Sequence, residues 1–173
     1  MAQWLLVLLC AVSCTSLAVL QQSHDITLTE TSPETSLNYY LCGEGRSSLQ
    51  SNTRLLLLPN VSHSLTGTNF CLVSNISSLF LCSSSAHSPA NITCSSSRSG
   101  LPTVGFGFYN VSGLTIEHVN IHHCGGVMPS PTDDQYNLLY PKDDAFYFPE
   151  GQPIMLLVSY SSNITLDLSL IHI

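Results

Sequence analysis

The sequence predicts an all-β chain assembled from short strands that repeat, and three observations predict it. Polarity comes from 27 serines rather than ions, since only 9% of residues are charged while 44% are hydrophobic. Serine competes for backbone hydrogen bonds inside helices and favours turns and strand surfaces. A six-residue motif recurs as ISSLFL at 76–81, VSGLTI at 111–116 and SSNITL at 161–166, with Ser second and branched aliphatics fourth and sixth; that period of two marks a strand with one buried face. Finally, alternating apolar residues precede every copy at constant spacing: Cys71 and Val73, Phe106 and Phe108, Leu156 and Val158.

From the N terminus, WLLVLLCAV is an apolar core too short to span a bilayer, and Ser16 and Ala18 stand at −3 and −1 of a cleavage site. Residues 1–18 therefore read as a secretory signal peptide, with the mature chain starting at Val19. No later apolar run approaches the ~20 residues a membrane-spanning helix needs, so a secreted, extracellular protein without membrane insertion after cleavage is expected. Cleavage removes Cys10 and Cys14 and leaves Cys42, Cys71, Cys82, Cys94 and Cys124. In an oxidising compartment that odd number implies two disulfides and one remaining thiol, with connectivity open. Glycosylation sequons at Asn60, Asn75, Asn91, Asn110 and Asn163 agree with secretion. Residues 19–54 carry no copy of the motif and read as an N-terminal cap region.

A second strand follows each of the first two copies, as Asn91-Ile92-Thr93-Cys94 and as Val119-Asn120-Ile121 leading to Cys124, so each unit holds three short strands. The copies lie 35 and 50 residues apart. The excess falls in the serine-rich stretch at 83–90 and in a long loop insertion at 125–153, corners at which stacked repeats tolerate additions.

The segment GFGFYNVSGLTIEHVNIHHCGG at 105–126 resembles the repeat of secreted right-handed parallel β-helix proteins, the pectate-lyase-like superfamily, and most closely the large, mostly uncharacterised extracellular β-helix proteins of simple animals. The resemblance spans roughly 55–173. It implies an all-β, right-handed parallel β-helix solenoid of about two to three coils, with the cap at 19–54 and an open C-terminal end. Parallel strands ~4.8 Å apart then stack like positions into columns. Leu79, Leu114 and Ile164 form one inward column, and Leu81, Ile116 and Leu166 the next. Gly113 and Asn163 fall at one turn position that tolerates left-handed backbone.

Charge narrows the function. Four Lys and Arg against eleven Asp and Glu, a net charge of −7, leave no clustered cations for a nucleic acid. Glu117, His118, His122, His123 and Cys124 are close in sequence, but strand alternation with Ile116, Val119 and Ile121 inward keeps them from converging on one face. No cysteine pair has CxxC spacing, and no metal or cofactor is expected. The carboxylate pairs Asp133-Asp134 and Asp143-Asp144 read as solvated loop charges, and no catalytic residue is assigned. Tyr136, Tyr140, Phe146, Tyr147 and Phe148 in the insertion form a binding loop or pin that loop to the strands beneath.

The expected function is a secreted, glycosylated β-helix protein with a structural, adhesive or carbohydrate- or protein-binding role, its partner an extracellular protein or glycan surface. The alternatives are a carbohydrate-active enzyme of the same fold, a polysaccharide lyase or glycoside hydrolase, or a non-autonomous N-terminal fragment of a larger extracellular protein. The aliphatic segment at 166–173 matches 116–123, so self-association through an open C-terminal coil is also expected.

Overall fold

A computed structural model describes residues 23–67, 70–85, 87–96, 104–127, 153–159 and 161–172. Residues 1–18, which the sequence leads one to expect as a signal peptide, the loop aromatics Tyr136, Tyr140, Phe146, Tyr147 and Phe148, and both Asp pairs lie outside the described residues. In chain order the elements are β1 (His24–Leu28), a 3-10 turn (Pro33–Thr35), α1 (Leu37–Leu41), a second 3-10 turn (Glu44–Ser48), β2 (Thr53–Leu57), β3 (Ser62–Gly67), β4 (Phe70–Ser74), β5 (Ser77–Ser83), β6 (Ala90–Ser96), β7 (Gly105–Tyr109), β8 (Ser112–His122), β9 (Gly126–Val127), β10 (Pro153–Ile154), β11 (Leu156–Ser159) and β12 (Thr165–His172).

The protein is mostly β, and its strands run in parallel apart from the short antiparallel β9–β10 pair. They form three runs. The first is β1-β2-β5-β8-β12, the second β3-β6-β8 with the end of β12, and the third β4-β7-β11. The first two share β8, whose Ser112–Glu117 half pairs with β5 and whose Val119–His122 half pairs with β6. Between the halves His118 holds a left-handed φ of 54°, so the strand turns there and the seven-stranded sheet curls.

The repeat motif sets the register. Leu79 lies opposite Leu114, and Leu81 opposite Ile116, which in turn faces Leu166. Upstream, Cys71, Phe106 and Leu156 align, as do Val73, Phe108 and Val158. The inward members of these columns fuse into one hydrophobic core, each buried aliphatic contributing roughly 1.5–3 kcal/mol. At the turn, Asn52, Ser78, Gly113 and Asn163 hold φ of 65°, 57°, 79° and 54°. A Cβ on Gly113 would make only an ordinary contact, 3.4 Å from the Ser78 backbone, so glycine there answers the left-handed conformation.

Residues 19–54 correct one expectation. They contain one copy of the pattern, Ser51-Asn52-Thr53-Arg54-Leu55 in register with Ser77–Leu81, and β1 pairs with β2 and extends the first run. The signal was hidden because Thr53 replaces the expected aliphatic. It is fully buried, and its hydroxyl donates to the Gln50 carbonyl at 2.7 Å, which removes the penalty for a polar group in the core. The remainder covers the sheet. Ser36 caps α1 by accepting from the Tyr39 N–H at 3.1 Å, and α1 packs on β3 and β4, the edge strands of their runs, with Leu37 and Leu41 buried. Among the described residues no helix is long and apolar enough to cross a membrane.

Candidate functional site

The outer face of the second run is built by alternation. In β3, His63 and Leu65 point into the core while Ser62, Ser64 and Thr66 are exposed. In β6, Ile92 and Cys94 are buried and Asn91, Thr93 and Ser95 face outward. Because the strands are parallel and in register, these outward groups meet side by side. Ser62 and Thr93 hydroxyls lie 3.1 Å apart, Thr66 and Ser95 2.9 Å, and Asn120 Nδ2 donates to Asn91 Oδ1 at 3.0 Å. The result is a lattice of hydroxyls and amides that hydrogen-bond one another from strand to strand, with His122 in register beside Thr93.

A second amide ladder stands where the third run passes into the first. Asn75 and Asn110 adopt φ of 59° and 52°, and Asn110 Nδ2 donates to Asn75 Oδ1 at 2.8 Å. Beside them is an open polar groove of about 230 Å³, lined by the two asparagines with Ser77, Ser112 and Ser162. Of the remaining sequons, Asn60 is exposed in the turn after β2, Asn163 is exposed before β12, and Asn91 is half-buried within β6.

Among the described residues the titratable groups are spread over several strands and turns. Asp25 pairs with Arg54 at 3.1 Å on an exposed surface, and Arg46 donates to the Leu72 carbonyl. Glu30 accepts from the Leu37 N–H at 2.8 Å and lies 2.7 Å from Nδ1 of the buried His63, whose Nε2 lies 3.1 Å from the Leu58 carbonyl. His118 and His122 are half-buried and His123 is exposed. Cys124 is bonded to Cys94, so it does not join them. Among the described residues no group of three or more His, Cys, Asp or Glu stands together as a metal site.

The disulfides resolve the pairing the sequence left open. Cys42–Cys71 ties the end of α1 to β4, Cys94–Cys124 ties β6 to the turn after β8, and Cys82 is the remaining thiol, buried between Leu56 and Glu117 in the register of the first run. Burial pushes the Cys82 thiol upward; Arg54 opposes this, and Glu117 and Asp25 reinforce it.

No family model, curated protein or solved structure matches this chain. The likeness to the pectate-lyase-like repeat therefore rests on the motif residues themselves.

The lattice residues Ser62, Thr66, Thr93, Ser95 and Asn120 escaped the sequence reading as site residues, as did the buried His63. His63 was legible in principle, since alternation with Leu65 places it inward, where a histidine must find partners for both ring nitrogens. Asn120 lies outside any sequon, and only strand register sets it beside Asn91.

Proposed function

We propose that the chain is a secreted glycoprotein whose parallel runs form a short right-handed β-helix with a structural or adhesive role, presenting the hydroxyl and amide lattice of β3, β6 and β8 to an extracellular glycan or protein. The lattice carries this reading. A surface of interlocked hydroxyl and amide donors and acceptors, with His122 in register beside Thr93, suits an extended polar partner. Two disulfides, bonds that persist in oxidising compartments, and the apolar leader at 1–18 support secretion.

A binding role is favoured over hydrolysis or lyase chemistry by how the described carboxylates are used. Glycoside cleavage needs two carboxyl groups flanking one bond; Asp25 is engaged by Arg54 and Glu30 by His63, which leaves Glu117 and Asp167, opposite each other on neighbouring strands, as the carboxylate pair that the turnover arm tests. The test has two arms. The purified chain is incubated with polygalacturonate and calcium while unsaturated product is followed in the ultraviolet, and no turnover is expected. It is then passed over immobilised neutral polysaccharides and cell-matrix preparations. Retention that is lost in Thr93→Glu, which puts a charge in the lattice, supports the reading. Calcium-dependent turnover defeats it.

A further inference from the structure

Five sequons do not have equal room for a sugar, and the corner holding Asn75 and Asn110 is where the geometry discriminates. Both side chains are exposed, and both belong to sequons completed by Ser77 and Ser112. They stand in the bends that follow the adjacent parallel strands β4 and β7, whose spacing is ~4.8 Å, and they are joined by one hydrogen bond in which Asn110 supplies Nδ2 and Asn75 supplies Oδ1 at 2.8 Å. N-glycosylation takes place at Nδ2. That nitrogen forms a bond to the anomeric carbon of a lipid-linked oligosaccharide pyrophosphate, the carbon–oxygen bond to pyrophosphate breaks and its electron pair leaves with the phosphate, and the amide gives up one proton.

A sugar on Asn110 would therefore be planted on the nitrogen already facing Asn75. It would also meet the next segment, because the Val111 N–H donates to Ser161 Oγ at 3.0 Å, the Ser162 N–H to the Val111 carbonyl at 3.1 Å and the Gly113 N–H to the Ser162 carbonyl at 2.8 Å. β7, which leads into Asn110, has a strand on each side, whereas β4, which leads into Asn75, has a strand partner on one side among the described strands. Asn75 gives only its oxygen to the ladder, so its nitrogen stays outside that bond.

We propose that Asn75 and Asn110 form a single-glycan site, in which Asn75 carries the sugar and Asn110 remains unmodified as its hydrogen-bond partner. The inference rests on the reading of the chain as secreted. The test is site-by-site occupancy by glycopeptide mass spectrometry of the full chain expressed in cultured animal cells. The expected result is a modified Asn75 with an unmodified Asn110. Ser77→Ala and Asn75→Gln should each remove one glycan step on a gel, and Ser112→Ala should remove none. The second of these variants keeps an amide at the corner, so a misfolded Ser77→Ala would not decide the matter alone. Modification of Asn110, of both asparagines, or of neither while Asn60 and Asn163 carry sugars overturns the single-glycan site and leaves secretion standing. A chain retained in the cytosol with no sugar at any of the five positions overturns both.

Discussion

At one edge of the first run, Leu28 in β1 is completely buried although its strand pairs only with β2 among the described strands. At the opposite edge, Leu166 in β12 keeps 45% of its surface exposed. Both are aliphatic and both sit on inward positions of the same parallel sheet. The difference is what lies against them. At the N-terminal edge Leu28 is part of the buried core that also takes in Leu37 and Leu41 of α1, a helix that packs on β3 and β4, and the Glu30 carboxylate just after β1 holds the first N–H of that helix. An edge strand gains burial from elements with no counterpart in the repeat, and stability should follow that asymmetry.

The largest expected effect breaks the comparison directly. Leu28→Ala removes a fully buried side chain and leaves a cavity, a change that costs about 4 kcal/mol. Leu166→Ala, at a half-exposed site, should cost under about 1 kcal/mol. Chemical denaturation of both variants measures the ratio. Equal losses would mean that the two edges are packed alike in solution.

The disulfides sharpen the same point. Cys42–Cys71 and Cys94–Cys124 close loops of nearly equal length, with sequence separations of 29 and 30. Chain entropy alone assigns about 3.5 kcal/mol to each. Replacing Cys42 and Cys71 with serine should therefore lower stability about as much as replacing Cys94 and Cys124, provided the N-terminal elements fold with the sheet. A separate early melting transition in the first variant alone would show that α1 and its neighbours are an independent unit.

How much of this was legible varies along the chain. The motif at 76–81, 111–116 and 161–166 placed β5, β8 and β12, because period-two alternation is a local consequence of residue type; the parallel stacking of like positions, a non-local arrangement, came from the β-helix resemblance. The copy beside β2 was not legible, since Thr53 interrupts the aliphatic pattern and its burial depends on a hydrogen bond to Gln50 that only the folded turn supplies. Helix α1 is five residues long, too short for a helical period to emerge. At the candidate site the sequons and cysteines were plain, but which asparagines touch and which thiol stays reduced depend on strand register.

Glu30 tests the tie between sheet and helix. Glu30→Ala strips the buried His63 of its hydrogen-bond partner and the first α1 N–H of its acceptor, and leaving a buried polar group unsatisfied costs about 2 kcal/mol. Glu30→Gln keeps an oxygen for Leu37 and a neutral partner for His63, so it should recover part of that loss. Thermal melts of the two variants give the order; a Glu30→Ala protein as stable as the parent would show that α1 is held by its leucines alone.

Cys82 gives the smallest and most specific effect, and it contrasts the middle of the sheet with both ends. In its outward column Thr27 and Asp167, at the two edges, are exposed, whereas Cys82 is 4% exposed between Leu56 and Glu117. Burial raises its thiol above the ordinary value of 9.0, against the lowering influence of Arg54. A folded value above the unfolded one means that the native state prefers the protonated thiol. The stability this provides is complete below about pH 9 and declines as pH rises through the folded value. Parent and Cys82→Ala should therefore differ in how steeply their melting temperatures fall above that pH, with the parent falling faster. Thiolate is the reactive form, so an aromatic disulfide reagent at pH 8 should modify the native thiol far more slowly than the denatured one. Glu117→Gln removes a group that raises the value and should speed native labelling, while Arg54→Gln removes the group that lowers it and should slow labelling further. The reverse order would mean that access through the sheet surface, rather than thiolate population, controls the reaction.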